Sequence, residues 1–282
     1  MTTLSDIRTD VRNRLIETTA DFFTNAELLT WINYGYKNFV QRTEWLEKMR
    51  AYPIVANQYD YTLPSDLVKV QKVRYRDNQT VEIQDLEEWF DSVGTFQGTG
   101  TPPQIYRLFP WHSTLRIYPI PSAASEATTV NGAHSSSVTT IALTDATDFP
   151  SRGVVYINSS EQVRYTAKSG NNLTGCIRGD GGTTAGTYAG SEAVSWAELE
   201  IYYTYMPTLL SGDSDVLATP TMYDEVIVDY ALGVGLQKRD KYPLAKQHFA
   251  AAEDGFRRAL EERTKMQRDR HFNFKDVSGE LS

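Results

Sequence analysis

With 282 residues the chain has the length of one large or two modest domains, each able to bury a core. A net charge of −8 argues against a protein whose main work is coating nucleic acid, and a single cysteine, Cys176, excludes an internal disulfide framework. No apolar run approaches the roughly 18 residues of a membrane span, and the opening Met1-Thr-Thr-Leu-Ser-Asp6 lacks the basic and apolar stretches of a signal peptide.

Thr3 to Ile16 reads as a helix with Leu4, Ile7, Val11 and Leu15 on one face. Thr24-Asn-Ala-Glu27 has the form of a capping box, which opens a second helix carrying Leu28, Leu29, Ile32, Tyr36, Phe39 and Val40 and predicted to reach about Met49. A DNA-reading helix pair would resemble this in outline, but Lys37 and Arg42 are its only cations before Lys48. The simpler reading is a packed helical hairpin.

From Ala51 the pattern changes to short strands: Tyr52 to Ala56, Tyr59 onward to a Leu63-Pro64-Ser65-Asp66 turn, and Val68 to Arg76. Asp77-Asn78 suits a hairpin tip returning through Val81 and Ile83. Asp85 to Phe90 suits a short helix, and Gly94 to Pro103 a loop. Ile105 to Phe109 and Leu115 to Ile120 form a hairpin around Trp111-His112-Ser113. The strand Leu115-Arg-Ile-Tyr-Pro-Ile-Pro121 finds a natural partner in Ala197 to Pro207, where Leu199, Ile201 and Tyr203 alternate with Glu200, Tyr202 and Thr204.

Between those two strands, residues 122–196 hold nine of the 18 glycines and only ten charged side chains, so a composition boundary falls at each end. Strand-like pieces at Thr139–Leu143, Val154–Ile157, Gln162–Thr166 and Leu173–Ile177, separated by turn formers, indicate a small all-β module set into the turn of a hairpin and projecting from its host. After it, a helix from Tyr223 to about Asp240 and another from Pro243 toward Gln267 make a second helical hairpin. Residues His271 to Ser282 show no period. The fold class expected is α+β, with two helical hairpins forming a bundle, a small antiparallel β region and the inserted all-β domain.

Few motifs point to chemistry. Arg178-Gly-Asp-Gly-Gly182 lacks the lysine and following helix of a phosphate loop and reads as a tight turn; its adhesion-like Arg178-Gly179-Asp180 is too short to carry meaning. Gly212-Asp213-Ser214-Asp215 lacks the glycine and terminal glutamate of a calcium loop, and the histidines at 112, 134, 248 and 271 are scattered. Glu87/Glu88 and Glu261/Glu262 are adjacent pairs whose side chains diverge on a helix, unlike a glycosidase pair. Cys176 reads as a buried structural thiol inside a strand. No catalytic, cofactor or metal site is expected. One stretch stands out: Arg263, Lys265, Arg268, Arg270 and Lys275 against a single acid, Asp269, with Phe272 and Phe274 interleaved, in a chain that is acidic overall.

Taken in order, Phe23-Thr24-Asn25-Ala26-Glu27-Leu28-Leu29-Thr30-Trp31-Ile32-Asn33, Tyr59-Asp60-Tyr61-Thr62-Leu63-Pro64-Ser65-Asp66, Leu115 to Pro121, Tyr202-Tyr203-Thr204-Tyr205-Met206-Pro207 and Pro220-Thr221-Met222-Tyr223-Asp224 resemble the head-to-tail adaptor (connector, or head-completion) proteins of tailed bacteriophages. Asp145 to Gly153, Glu161 to Tyr165 and Leu173 to Gly179 are similar to a β-module inserted in phage structural proteins. The resemblance implies a host domain of residues 1–121 and 197–262, an inserted module of 122–196 and a docking tail of 263–282. It also implies a non-enzymatic virion protein of the neck, assembled in the host cytoplasm, with no cofactor and no membrane partner. Such a protein forms a ring, commonly twelvefold, bound to the portal and to the next tail or nozzle component or a tail fibre. Genomic DNA passes through it without being read. Portal binding then falls to Arg263, Lys265, Arg268, Arg270, Phe272 and Phe274. Two other classes compete: a receptor- or carbohydrate-binding tail component acting through the β-module, and a tail-borne glycan hydrolase.

Overall fold

The computed structural model describes residues 2–17, 20–76, 79–83, 98–100, 103–109 and 113–276, the side chains at 79, 105, 109 and 267–276 excepted. The hairpin tip at Asp77-Asn78, the short helix at Asp85–Phe90, most of the Gly94–Pro103 loop and the turn at Trp111-His112 lie outside these residues. The chain is α+β and divides into two units, residues 1–47 with 204–282, and residues 48–203.

The first unit is built by helices. α1 (Leu4–Arg14) starts on a capping box in which Thr3 and Asp6 satisfy each other's backbone, and α2 (Asn25–Thr43) starts on the one formed by Thr24 and Glu27. α3 (Asp224–Lys238) follows a 3-10 turn at Thr221–Tyr223, and α4 (Tyr242–Asp276) carries Pro243 in its first turn, where a missing N–H costs nothing. One core joins all four: Leu4, Ile7 and Val11 of α1, Ile32, Tyr36 and Phe39 of α2, Ile227, Ala231 and Leu232 of α3, and Ala245, Ala252, Phe256 and Ala259 of α4. Because α3 touches the other three helices, it is apolar on several sides rather than along one stripe. Close approach is bought with glycine: a Cβ at Gly255 would lie 2.4 Å from Val226 Cγ2, and one at Gly233 would lie 2.8 Å from the Phe249 ring.

Two helix ends differ from expectation. α2 stops at Thr43 instead of continuing to Met49, with Glu44 in the left-handed region (φ 49°) and Glu47–Tyr52 already a strand, β1. Tertiary contacts override a helix-compatible sequence there: Trp45 packs edge-on against Tyr223 at 5.1 Å, and Leu46 is buried. At the other end α4 continues to Asp276, past the Gln267 limit of its apolar pattern.

The turn between α1 and α2 is organised by Glu17, whose carboxylate accepts from the amides of Phe23 (2.7 Å), Phe22 (2.8 Å) and Asp21 (3.2 Å) and from Arg239 at 2.6 Å. Burial pushes this carboxyl upward, but those donors outweigh it and hold it below the usual range.

The second unit is β. Seven strands, β1, β2 (Asp60–Thr62), β3 (Leu67–Tyr75), β4 (Gln79–Ile83), β5 (Ile105–Phe109), β6 (Thr114–Tyr118) and β14 (Leu199–Tyr205), form one sheet in the order β1-β14-β3-β4-β5-β6-β2. Val73 and Tyr75, Val81, and Leu115 and Ile117 are its buried period-two positions. The expected pairing of Leu115–Pro121 with Ala197–Pro207 is not made: β3, β4 and β5 separate β6 from β14. Alternation misled there because β14 is largely buried along both faces, Glu200 and Thr204 included. The sheet is also not wholly antiparallel, since β4 and β5 run parallel.

The remaining strands form a four-stranded antiparallel sheet, β10-β9-β13-β7, and a three-stranded one, β11-β12-β8. Their ranges are β7 (Ala127–Thr129), β8 (Thr140–Ala142), β9 (Gly153–Ile157), β10 (Glu161–Tyr165), β11 (Ala167–Ser169), β12 (Asn172–Thr174) and β13 (Ala193–Trp196). Ile141, Leu143, Phe149, Val155, Ile157, Val163, Tyr165, Leu173 and Val194 make their common core. This segment does not project freely, as its composition suggests. Val154 and Tyr156, on the opposite face of β9, pack with Ala51 and Ala197. The Gln162 side-chain amide also reads the β1 edge, accepting from Ala51 N at 2.9 Å and donating to Met49 O at 3.4 Å. Covering an edge strand this way removes a surface on which foreign strands could pair.

Candidate interaction site

The long helix α4 gives its last core side chain at Ala259 and then runs 17 residues further to Asp276, a rise of about 25 Å at 1.5 Å per residue. Its root is fixed by two polar contacts. Glu262 accepts a short hydrogen bond from the Tyr223 hydroxyl, and burial followed by this carboxylate drives the Tyr223 hydroxyl upward in pKa. Arg263 donates from Nη1 to Glu44 at 3.2 Å and from Nη2 to Glu47 at 3.0 Å, with only 11% of its side chain exposed. Two to three turns earlier, Arg42 of α2 pairs with Glu253 (2.6 Å for Nη1 to Oε2) and lies 4.8 Å over the Phe256 ring. Beyond Arg263, Thr264, Lys265 and Met266 are exposed.

Of the six residues expected to form a docking tail, the structure therefore gives Arg263 an intrachain partner, leaves Lys265 in solvent, and places Arg268, Arg270, Phe272 and Phe274 on the continuing helix, their side chains outside the described residues. Glu44 and Glu47, the acids that hold Arg263, lie more than 200 residues away in sequence, and no local spacing could have named them.

The other motifs resolve into structure. Arg178 donates from Nε to Glu161 Oε1 at 2.7 Å and from Nη2 to Oε2 at 2.8 Å, and caps the carbonyls of Ser135 and Gly186. Glu161 is fully buried and also accepts from the amides of Gly179 (3.0 Å) and Gly186 (2.8 Å) and from the Tyr188 hydroxyl (2.5 Å). Burial raises the Glu161 carboxyl, but Arg178, Tyr188 and the two amides outweigh it and hold it below the usual carboxylate range. Asp180 is held by Arg164 and by Gln162 Nε2 at 3.0 Å. The Arg-Gly-Asp letters are thus spent inside the fold.

Asp215 accepts from Ser211 N (2.7 Å) and Gly212 N (2.8 Å), and Asp213 pairs with Arg8 at 2.9 Å. Cys176 sits just after β12 rather than within a strand. It is buried, and burial pushes its thiol up to about 11, an inert position. His248 meets Asp229 at 2.8 Å, and His134 bonds locally to Ala142 N. Glu261 pairs with Arg257 at 2.8 Å and Glu262 with Tyr223, so neither carboxylate is poised over a cleft. Glu87 and Glu88 lie outside the described residues. Among those residues no group of three or more His, Cys, Asp or Glu side chains is arranged to hold a metal ion, and no helix is long and apolar enough to cross a membrane.

Residues 2–167, more than half of the chain, match the family model described as SU10 adaptor protein. The match covers α1, α2 and strands β1 to β10. No curated protein matches the chain.

Proposed function

The chain belongs to the SU10 adaptor protein family, and from that premise we propose a head-to-tail adaptor that forms an oligomeric ring, joins the portal to the tail and extends the DNA channel. The family match is the observation that carries this reading: it makes the chain a structural phage adaptor, a component of the virion at the head–tail junction. Residues 1–121 and 197–262 act as the host domain, 122–196 as an insertion, and 263–282 as the segment that docks on the portal.

Two features support the docking role. The about 25 Å of α4 beyond Ala259 is long enough to reach a neighbouring protein. It carries Lys265, Arg268, Arg270, Phe272 and Phe274, a set suited to aromatic anchors within a cationic rim. Arg263 serves as the positioning residue, tied to Glu44 and Glu47. A ring of the expected twelvefold order would need head-to-tail contacts between different faces of the chain, and its lumen would pass DNA without reading it.

The test is co-sedimentation with the cognate portal of the full chain and of residues 1–262. The full chain is expected to bind and the truncated chain to lose at least tenfold in affinity. Equal binding by the truncated chain would remove the docking role from the tail.

A further inference from the structure

Within the second unit, a cavity of about 400 Å³ has Arg50, Tyr52, Ile54, Val55, Ser125 and Tyr156 in its lining. Arg50 carries the only charge in this lining. Five other cations of the unit each meet a carboxylate. Lys48 meets Asp66 at 2.8 Å, Arg76 meets Glu198 at 2.9 Å, Arg116 meets Asp60 at 2.7 Å, Arg164 meets Asp180 at 3.0 Å and Arg178 meets Glu161 at 2.7 Å. Arg50 is half-buried and has no carboxylate partner among the described residues. Its guanidinium lies 5.4 Å from the Tyr156 ring centroid and reaches the Gly181 carbonyl at 3.4 Å. A guanidinium has five N–H donors in a fixed fork, so most of its capacity is unspent in a partly desolvated place.

We propose that this cavity is a receptor for an acidic side chain carried on an apolar peptide of a partner protein, with Arg50 receiving the carboxylate. The walls favour a peptide over a sugar. Pro53, Ile54, Val55, Ala124 and Ala127 are apolar. Tyr156 is only 5% exposed with Arg50 over its ring, so it offers no open stacking platform, and its hydroxyl reaches Gln162 at 3.4 Å. The rim is already rigid. Ile54 N donates to Ser125 Oγ at 2.7 Å, Ser125 N donates to Ile54 O at 2.9 Å, and the Tyr52 hydroxyl donates to Thr62 O at 2.8 Å. A preformed pocket spends little binding energy on ordering itself. This site is independent of the adaptor reading, because a chain that binds portal but no peptide leaves that reading standing.

The test is calorimetric titration of the full chain with acetyl-Leu-Glu-Leu-amide, acetyl-Leu-Gln-Leu-amide and N-acetylneuraminic acid. Saturable binding of the Glu peptide at least tenfold tighter than the Gln peptide is expected, with the preference lost in Arg50→Gln. That variant also uncovers Tyr156, so Val55→Asp is the second. Val55 is 47% exposed at the lip, and a like charge there is expected to weaken the Glu peptide by tenfold while leaving the melting temperature unchanged. Equal affinity for the two peptides, no saturation by the Glu peptide, saturation by N-acetylneuraminic acid alone, or an unaltered preference in Val55→Asp overturns the proposal.

Discussion

Arg263 of α4 donates to Glu44, the left-handed residue on which α2 stops. The long helix is therefore fastened close to the point where it gives its last side chain, Ala259, to the core. A second bond, to Glu47, completes the clamp. Replacing Arg263 by Met keeps the stem and removes the fork, and with it the bonds to Glu44 and Glu47. A loss of about 1–3 kcal/mol is expected, the cost of breaking charge-assisted hydrogen bonds at a partly buried site. Thermal unfolding of the variant checks this, and an unchanged midpoint would show the clamp to be ornamental.

Arg178→Met tests the buried pair in the second unit. It removes the only cation paired with the fully buried Glu161 carboxylate among the described residues, and a cost of about 3–5 kcal/mol is expected. Urea unfolding monitored by hydrogen exchange at Val155, Val163 and Tyr165 should report the loss.

The same pair sets a dependence on pH. Arg178, Tyr188 and the two amides hold the Glu161 carboxyl below its usual range in the folded protein, against the upward push of burial. The stabilisation it gives is thus complete above its unfolded value and is lost as the pH falls through the folded one. The stability difference between wild type and Glu161→Gln should be constant near neutrality and shrink below about pH 4.5. A difference that grew with acidity would contradict the assignment.

Gly255→Ala tests the helix contact. Helix propensity alone would gain about 1 kcal/mol. The new Cβ, however, would stand 2.4 Å from Val226 Cγ2, and a β-branched side chain in a helix has little freedom to turn aside. Overpacking of about 1–3 kcal/mol should win and give a net loss. The double variant Gly255→Ala/Val226→Ala should show positive coupling in a thermodynamic cycle.

Lys168 is bound by three carbonyls, those of Ala146 (2.6 Å), Thr147 (3.1 Å) and Phe149 (2.6 Å), so its ammonium holds the loop before β9 as a cation would. Lys168→Met should accelerate amide exchange across residues 145–150 at a cost of about 1–3 kcal/mol.

What could be read from the sequence was local. Thr24 and Glu27 announce the start of α2 because a capping box is a contact between residues three apart. The stripes through Ile32, Tyr36 and Phe39 and through Ala245, Ala252 and Phe256 follow from helix period. The end of α2 was hidden because Glu44 takes the left-handed conformation usually given to glycine, under the pull of Trp45 and Leu46. The pairing of β14 was hidden because alternation marks a strand but names no neighbour. Arg50 carried no signal in the sequence, and Arg263 read only as the first of a run of cations. Only the fold shows that one has acids beside it and the other has none among the described residues.

The central claim, a ring-forming adaptor that docks on the portal, is tested most directly by the native mass of the purified protein, alone and mixed with its cognate portal. The account predicts a discrete higher-order species with portal, bound in a fixed ratio, that the 1–262 chain fails to form. A full-length chain that stays apart from portal under every condition would contradict it and direct attention to glycan binding by residues 122–196.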